Sequence, residues 1–219
     1  MGPETELQQP PVQKREGERC HTCDAAMPAG SRFCAQCGRA LAAALAPVSG
    51  GRLTIAFVDL EGFTTFASRK DDEEVLELIR TFHGLVREAV GRHGGFEVKQ
   101  MGDGFMLAFS SPRRAIACVV DVLRGAGPHV DSSNAPSLRV SAGLNSGEAI
   151  QEGADFFGHT VNVASRIMQR ASGGRVLLSE TTRVLAGDVE GVTFVDAGRR
   201  SLRGLKGRHR LYEAVWWDE

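Results

Sequence analysis

An amide and a guanidinium stand four residues apart in the stretch Asp155-Phe-Phe-Gly-His-Thr-Val-Asn-Val-Ala-Ser-Arg166. At that spacing Asn162 and Arg166 leave a helix from one face, and together they suit phosphate or sugar oxygens. Val161, Val163, Ala164 and Ile167 supply apolar contacts on the other sides. Asp155 precedes the helix from a glycine-interrupted loop, where an acid can face a ligand. A second group lies upstream. Asp59 ends an apolar run and is followed by Leu60-Glu-Gly-Phe-Thr64, and Asp103 sits between Gly102 and Gly104. Two carboxylates at strand ends can converge on one hard cation and leave positions open for water and phosphate oxygens. Gly62 lets the backbone N–H groups of its turn, through Phe63 and Thr64, approach an anion closely. Lys99 lies four residues before Asp103, on the strand face of Glu97 and opposite Phe96 and Val98. Taken singly, these are a capping acid, a turn acid, a solvated lysine and a polar helix surface.

A third constellation is metallic. Cys20-x2-Cys23 and Cys34-x2-Cys37 have the paired spacing of a tetrahedral four-cysteine zinc site. A module of roughly twenty residues cannot build its own core, so one structural Zn²⁺ would supply the folding energy. His21 adjoins a ligand but is not needed as one. The module has few basic residues and Phe33 alone as an aromatic, which favours a protein partner over nucleic acid. The fifth cysteine, Cys118, lies on an apolar helical face and reads as a buried, inert side chain.

The elements that must position these groups follow from the pattern along the chain. Residues 1–18 are rich in Gln, Pro and Glu and read as a disordered leader. Residues 19–41 form the zinc ribbon, 42–51 a linker with Pro47 and Ser49-Gly-Gly51, and 52–217 the main domain. Leu53–Val58 is a buried strand. A helix is expected from about Asp71 to Arg92, with Val75, Leu78, Ile79, Phe82, Leu85, Val86 and Ala89 on its inner face. Phe96–Gln100 and Phe105–Phe109 read as a hairpin around Met101-Gly-Asp-Gly104. A helix opens at Pro112, and Leu138–Leu144 is a strand. A helix begins near His159, Arg175–Ser179 is a strand, and Thr181 caps a short helix to Ala186. Two or three strands fill 192–217. Strands alternating with helices, with hairpins among them, indicate an α/β domain with a mixed or antiparallel sheet.

Composition narrows the function classes. The chain has 219 residues, 42% hydrophobic and 24% charged, with a formal net charge of −1. That balance gives no global attraction to nucleic acid or acidic lipid. No apolar run approaches membrane-spanning length, and no secretory signal is visible, so a cytoplasmic location is expected. The segment Arg199–Arg210 carries six Lys or Arg and no acid.

Taken together, Phe57-Val-Asp-Leu-Glu-Gly-Phe-Thr64, Val98-Lys-Gln-Met-Gly-Asp-Gly-Phe105 and Asp155–Arg166 strongly resemble the class III nucleotidyl cyclase domain, over residues 51 to about 215. The resemblance implies a ferredoxin-like core that dimerises head to tail, with active sites at the interface. It implies that Asp59 and Asp103, with the Leu60 carbonyl, bind two Mg²⁺ or Mn²⁺. It implies further that Lys99 and Asp155 read the purine, Asn162 orients the ribose, Arg166 stabilises the transition-state phosphate and Lys206 lies near the triphosphate. Lysine donates and aspartate accepts, which complements the ring acceptor and amine donors of adenine. Guanine reverses that pattern. The expected protein is an adenylate cyclase, a lyase acting on ATP as a homodimer. Guanylate cyclase and a catalytically silent nucleotide- or partner-binding module are the alternatives. The silent reading is disfavoured because the metal carboxylates and the arginine are all present.

Overall fold

The computed structural model describes residues 18–19, 25–27, 36, 51–131, 139–172 and 174–216. In the N-terminal part, strands β1 (Glu18–Arg19) and β2 (Ala26–Met27) pair antiparallel. The four cysteines of the expected zinc ribbon, residues 1–17 of the leader and nearly all of the linker lie outside the described residues, while Glu18, the last residue of the expected leader, belongs to β1.

The main domain begins with β3 (Arg52–Glu61) and a short helix α1 (Phe63–Ala67), followed by the long helix α2 (Asp72–His93). Strands β4 (Phe96–Met101) and β5 (Gly104–Phe109) form the hairpin, and α3 (Pro112–Asp131) crosses back. Strand β6 (Arg139–Glu148) precedes a small hairpin of β7 (Ile150–Glu152) and β8 (Asp155–Phe157). Helix α4 (His159–Met168), β9 (Val176–Ser179), α5 (Glu180–Ala186), β10 (Thr193–Arg200) and β11 (His209–Val215) complete the chain. Seven strands form one sheet in the order β10-β11-β9-β6-β3-β5-β4. Every pairing is antiparallel except β6 with β9, which gives the mixed sheet that the sequence pattern predicts.

The sheet divides two apolar layers. One face carries Ala56, Val58, Leu60, Phe105 and Leu107, packed against Phe82, Val86 and Ala89 of α2 and Ile116, Val119 and Leu123 of α3. The other carries Leu53, Ile55, Phe57 and Met106, packed against Phe156 and against Ala164 of α4. Strands β3 and β5 are therefore apolar on both sides and lack the alternation of a half-solvated sheet. Cys118 is fully buried in the first layer, where burial pushes its thiol pKa up.

Helix α2 begins and ends where its sequence says. Asp71 accepts from Glu74 N at 2.9 Å, three acids follow in the first turn, and Gly94 closes the helix at φ 63°. Two local expectations are corrected. The cap of α5 is Ser179, whose hydroxyl accepts from Thr182 N at 3.2 Å, and Thr181 lies within the helix. Asp155 begins a strand, β8, paired with β7, where a loop was expected.

Candidate active site

Asp59 lies near the end of β3, opposite Gly104 of β5 and Ser141 of β6. The two-residue turn Gly102-Asp103 therefore brings Asp103 next to it. The approach is close enough to require a glycine. A Cβ on Gly104 would stand 2.7 Å from Asp59 Oδ1 and 2.9 Å from the Val58 carbonyl oxygen. Partial burial and the nearby negative charge of Asp103 push Asp59 up to about 6, against a backbone hydrogen bond from Leu60 that pulls it down. Among the described residues no cationic side chain makes an ion pair with either acid.

That uncompensated pair fits a hard divalent cation. Among the described residues there is no cluster of three or more His, Cys, Asp or Glu, so a cation here would rest on two carboxylates completed by carbonyl, water or substrate oxygens. Mg²⁺ and Mn²⁺ accept such open donor sets. Gly62 takes φ 84° at the start of α1, a conformation that a side chain would strain. Phe63 of that turn packs on the core and Thr64 is exposed.

Lys99 and Asp155 come together from strands β4 and β8. Lys99 Nζ lies 2.6 Å from Asp155 Oδ2 and 5.7 Å from the centre of the Phe157 ring. Asp155 is oriented in turn by Phe156 N, which donates to its Oδ1 at 2.8 Å. The expectation that Lys99 shares a face with Glu97 is wrong, and the reason is local. Glu97 pairs with Leu107 but Lys99 pairs with Met106, so Val98 has no partner and forms a β-bulge. The extra residue reverses the alternation beyond it. Glu97 faces α2, while Lys99 faces the layer of Met106 and Phe156.

Helix α4 carries Asn162, exposed, and Arg166, half-buried, one turn apart as expected. Arg166 Nη1 donates to Gln169 Oε1 at 2.9 Å. Val163, Ala164 and Ile167 are the buried side of the helix. What seats it on the sheet is the absence of side chains on β6. A Cβ on Gly143 would fall 2.1 Å from Met168 N, and one on Gly147 would fall 2.6 Å from Thr160 Oγ1. His159 is the first residue of α4 and is exposed. Lys206 is exposed in the loop between β10 and β11, flanked by Gly204 at φ 76° and Gly207 at φ 83°. Leu202 of that loop packs with Val163 and Ile167 of α4, and Arg170 Nη2 donates to the Ser201 carbonyl at 2.9 Å. The Lys206 loop and α4 thus form one packed unit.

The structure therefore assembles the candidates into separate groups: Asp59 with Asp103, Lys99 with Asp155, and Asn162 and Arg166 with the Lys206 loop behind them. Among the described residues no hydrogen bond or ion pair joins the first group to the other two. Sequence reasoning missed Gly104, Gly143 and Gly147 as close-approach glycines, the Val98 bulge, and Arg87, which contacts both Glu97 and Gln100. Only the glycines left a trace in the sequence, as residues too small for the strands that hold them.

Comparison with known proteins places this geometry. Residues 47–215 match the adenylate and guanylate cyclase catalytic domain. A pH-sensitive adenylate cyclase, MT1302 of Mycobacterium tuberculosis, is 37% identical over 171 residues, covering 76% of this chain and 41% of that protein. This chain thus spans less than half the length of that relative. The guanylyl cyclase Cya2 has a crystal structure that superposes with a TM-score of 0.66 at 27% identity, over 78% of this chain and 96% of that one. An adenylate cyclase structure from Trypanosoma brucei, in a monomeric state, gives 0.68 at 22% identity over 78% and 92%, a likeness of fold.

Proposed function

Because this chain belongs to the adenylate and guanylate cyclase catalytic domain family, we propose that it is an adenylate cyclase that converts ATP to 3′,5′-cyclic AMP and pyrophosphate. The observation that carries the choice of ATP is the Lys99–Asp155 pair, 2.6 Å apart on one face of the sheet. An ammonium donor and a carboxylate acceptor held together match the acceptor and donor edge of adenine. Guanine would leave both groups unsatisfied, and buried mispairing of that kind discriminates strongly.

In this reading Asp59, Asp103 and the Leu60 carbonyl hold two Mg²⁺ or Mn²⁺, which when bound lower the pKa of the ribose 3′-hydroxyl and neutralise the triphosphate. Asn162 fixes the ribose. The 3′-oxygen forms a bond to the α-phosphorus as the bond from that phosphorus to the pyrophosphate oxygen breaks, and the hydroxyl proton leaves to solvent. Arg166 sits where negative charge builds on the α-phosphate, so it acts on the transition state more than on bound ATP. The backbone of Gly62, Phe63 and Thr64, together with Lys206, holds the phosphates that depart.

The active unit is a homodimer in which the metal pair of one protomer faces the base-reading and arginine groups of the other. Exposed apolar surface on the β7–β8 hairpin, where Ile150 is 70% and Phe157 45% exposed, supports this. Cys20, Cys23, Cys34 and Cys37 hold one structural Zn²⁺ in a module that contacts a protein partner. Elemental analysis should find one zinc per chain, absent when these cysteines are replaced by serine. Among the described residues no helix is long and apolar enough to cross a membrane. The deciding test is product formation from ATP and from GTP with Mg²⁺ or Mn²⁺, beside Asp59→Ala. Cyclic AMP from ATP that vanishes in the variant is the expected result. Cyclic GMP as the main product would select the guanylate reading, and no product from a folded dimer would select the silent one.

A further inference from the structure

We propose that Arg87, on the opposite side of the sheet from the base-reading pair, is a positioning residue that sets base selectivity by holding the Val98 bulge. The inference rests on the reading of Lys99 and Asp155 as the purine-binding pair. Among the described residues, strand β4 is the last strand of the sheet and is bonded on one side only, to β5. A bulge at a sheet edge has no second strand to fix it, and the Gly102-Asp103 turn sets where the hairpin begins but not which residue of β4 is left unpaired. Something else must hold the extra residue in place.

Arg87 of α2 is placed to do so. Its Nε donates to Glu97 Oε2 at 3.0 Å and its Nη2 to Glu97 Oε1 at 3.1 Å. The same Nη2 donates to Gln100 Oε1 at 3.1 Å. Glu97 and Gln100 are the residues on either side of the Val98-Lys99 step, so one planar guanidinium spans the irregularity. The clamp is itself anchored: the guanidinium lies 5.6 Å from the centre of the Phe105 ring, and Phe105 is the β5 partner of Gln100. The Glu97 side chain is only 9% exposed, and both its carboxylate oxygens accept from the arginine fork.

The consequence for chemistry follows from parity. If the bulge relaxed into a regular strand, Lys99 would turn toward α2 and Gln100 would take its place beside Asp155. A carboxamide has both a donor and an acceptor and can satisfy either purine edge. Loss of the clamp should therefore relax selectivity as well as weaken ATP binding. The extra residue then passes to the Gly102-Asp103 turn, so the ATP-to-GTP ratio rather than the rate reads the base-reading pair, and Asp59 and Arg166 are untouched.

The test compares wild type with Arg87→Lys and with the double variant Arg87→Met/Glu97→Leu, which removes the buried charge together with its partner. The readouts are kcat and KM for ATP and GTP, displacement of N-methylanthraniloyl-ATP by each nucleotide, and the melting temperature. The expected result is a fall of about tenfold in the ATP-to-GTP ratio of kcat/KM and of affinity for the double variant, carried by KM for ATP, with a smaller fall for Arg87→Lys. A merely structural role would lower both nucleotides' rates together and leave the ratio unchanged. A folded double variant with the wild-type ratio overturns the proposal. Lys99→Ala separates the two levels. If it shifts the ratio and the Arg87 variants do not, the clamp alone is refuted; if it leaves the ratio unchanged, the base-reading assignment falls and the clamp with it.

Discussion

Asp59 shows what a single residue gives up for its place. Its carboxyl is raised from an ordinary 3.8 to about 6 by burial and by Asp103, so the folded chain favours the protonated acid. A raised carboxyl contributes stability that is present below the unfolded value and lost as pH rises through the folded one. Without divalent metal, the chain should lose about 1–2 kcal/mol from this group between about pH 4 and pH 7, the full conversion of about 3 kcal/mol being reduced by solvent screening of a half-exposed acid. His83 acts in the opposite sense. Burial and Arg87 hold its imidazole below the usual value, so its contribution is present at neutral pH and fades on acidification. The difference between wild type and Asp59→Asn therefore isolates the acid. We expect Asp59→Asn to melt higher than wild type at pH 7 without metal, and to lose the stabilisation by Mn²⁺ that wild type shows there. Gly104→Ala should place a methyl against Asp59 Oδ1 and the Val58 carbonyl, costing about 1–3 kcal/mol and more activity than stability. Thermal melts beside Mn²⁺-ATP turnover would check this. The acids and Lys99 were legible as residue types in the sequence. Their spatial pairing was legible as two strand-end acids and through the family resemblance, but not from local pattern alone, because Asp59 and Asp103 meet through the register of β3 on β5.

At the scale of elements, α4 rides on a strand stripped of side chains. Gly143 meets the backbone of Met168, which cannot swing aside as a side chain would, and Gly147 meets Thr160. Gly143→Ala should push the C-terminal half of α4 off β6, lower the melting point by several degrees and reduce kcat through Arg166. Gly127→Ala, in α3 with open space around the added methyl, is the control that should leave kcat unchanged and keep or slightly raise the melting point. Helices α2 and α4 were legible because their apolar positions recur at helical spacing and α2 carries its own cap and stop. The bulge in β4 was not, since Phe96-Glu-Val-Lys alternates like any regular strand and only the partner strand shows the slipped register. Asp155 was read as a loop residue because a three-residue strand leaves almost no periodic signal. Ser179 is not legible as the cap of α5 because it also ends the apolar run of β9.

For the whole molecule, the division of the candidate groups makes a quantitative claim. Asp59→Asn and Arg166→Ala, each inactive alone, are mixed after reversible dissociation. In a head-to-tail dimer, the mixed species holds one site with both lesions and one with neither. Random pairing should restore about one quarter of the wild-type activity. No recovery, with mixed dimers demonstrated by differential tags, would mean that each chain holds a complete site. The alternation of strands with helices and the mixed sheet were readable from the pattern along the chain, and the assembly rested on the family resemblance.

The last strand of the sheet carries a different consequence. Among the described residues, the outer row of backbone N–H and C=O groups of β4 has no strand beside it. An unbroken edge of that kind is a template on which another chain's strand can add. The bulge at Val98 interrupts the row at its middle, and charged Glu97 and Lys99 flank the interruption. The irregularity that aims Lys99 thus also keeps the sheet of one molecule from continuing into the next. Removing Val98 would leave Lys99 opposite Met106 but give an uninterrupted edge, and so a protein prone to precipitate on storage.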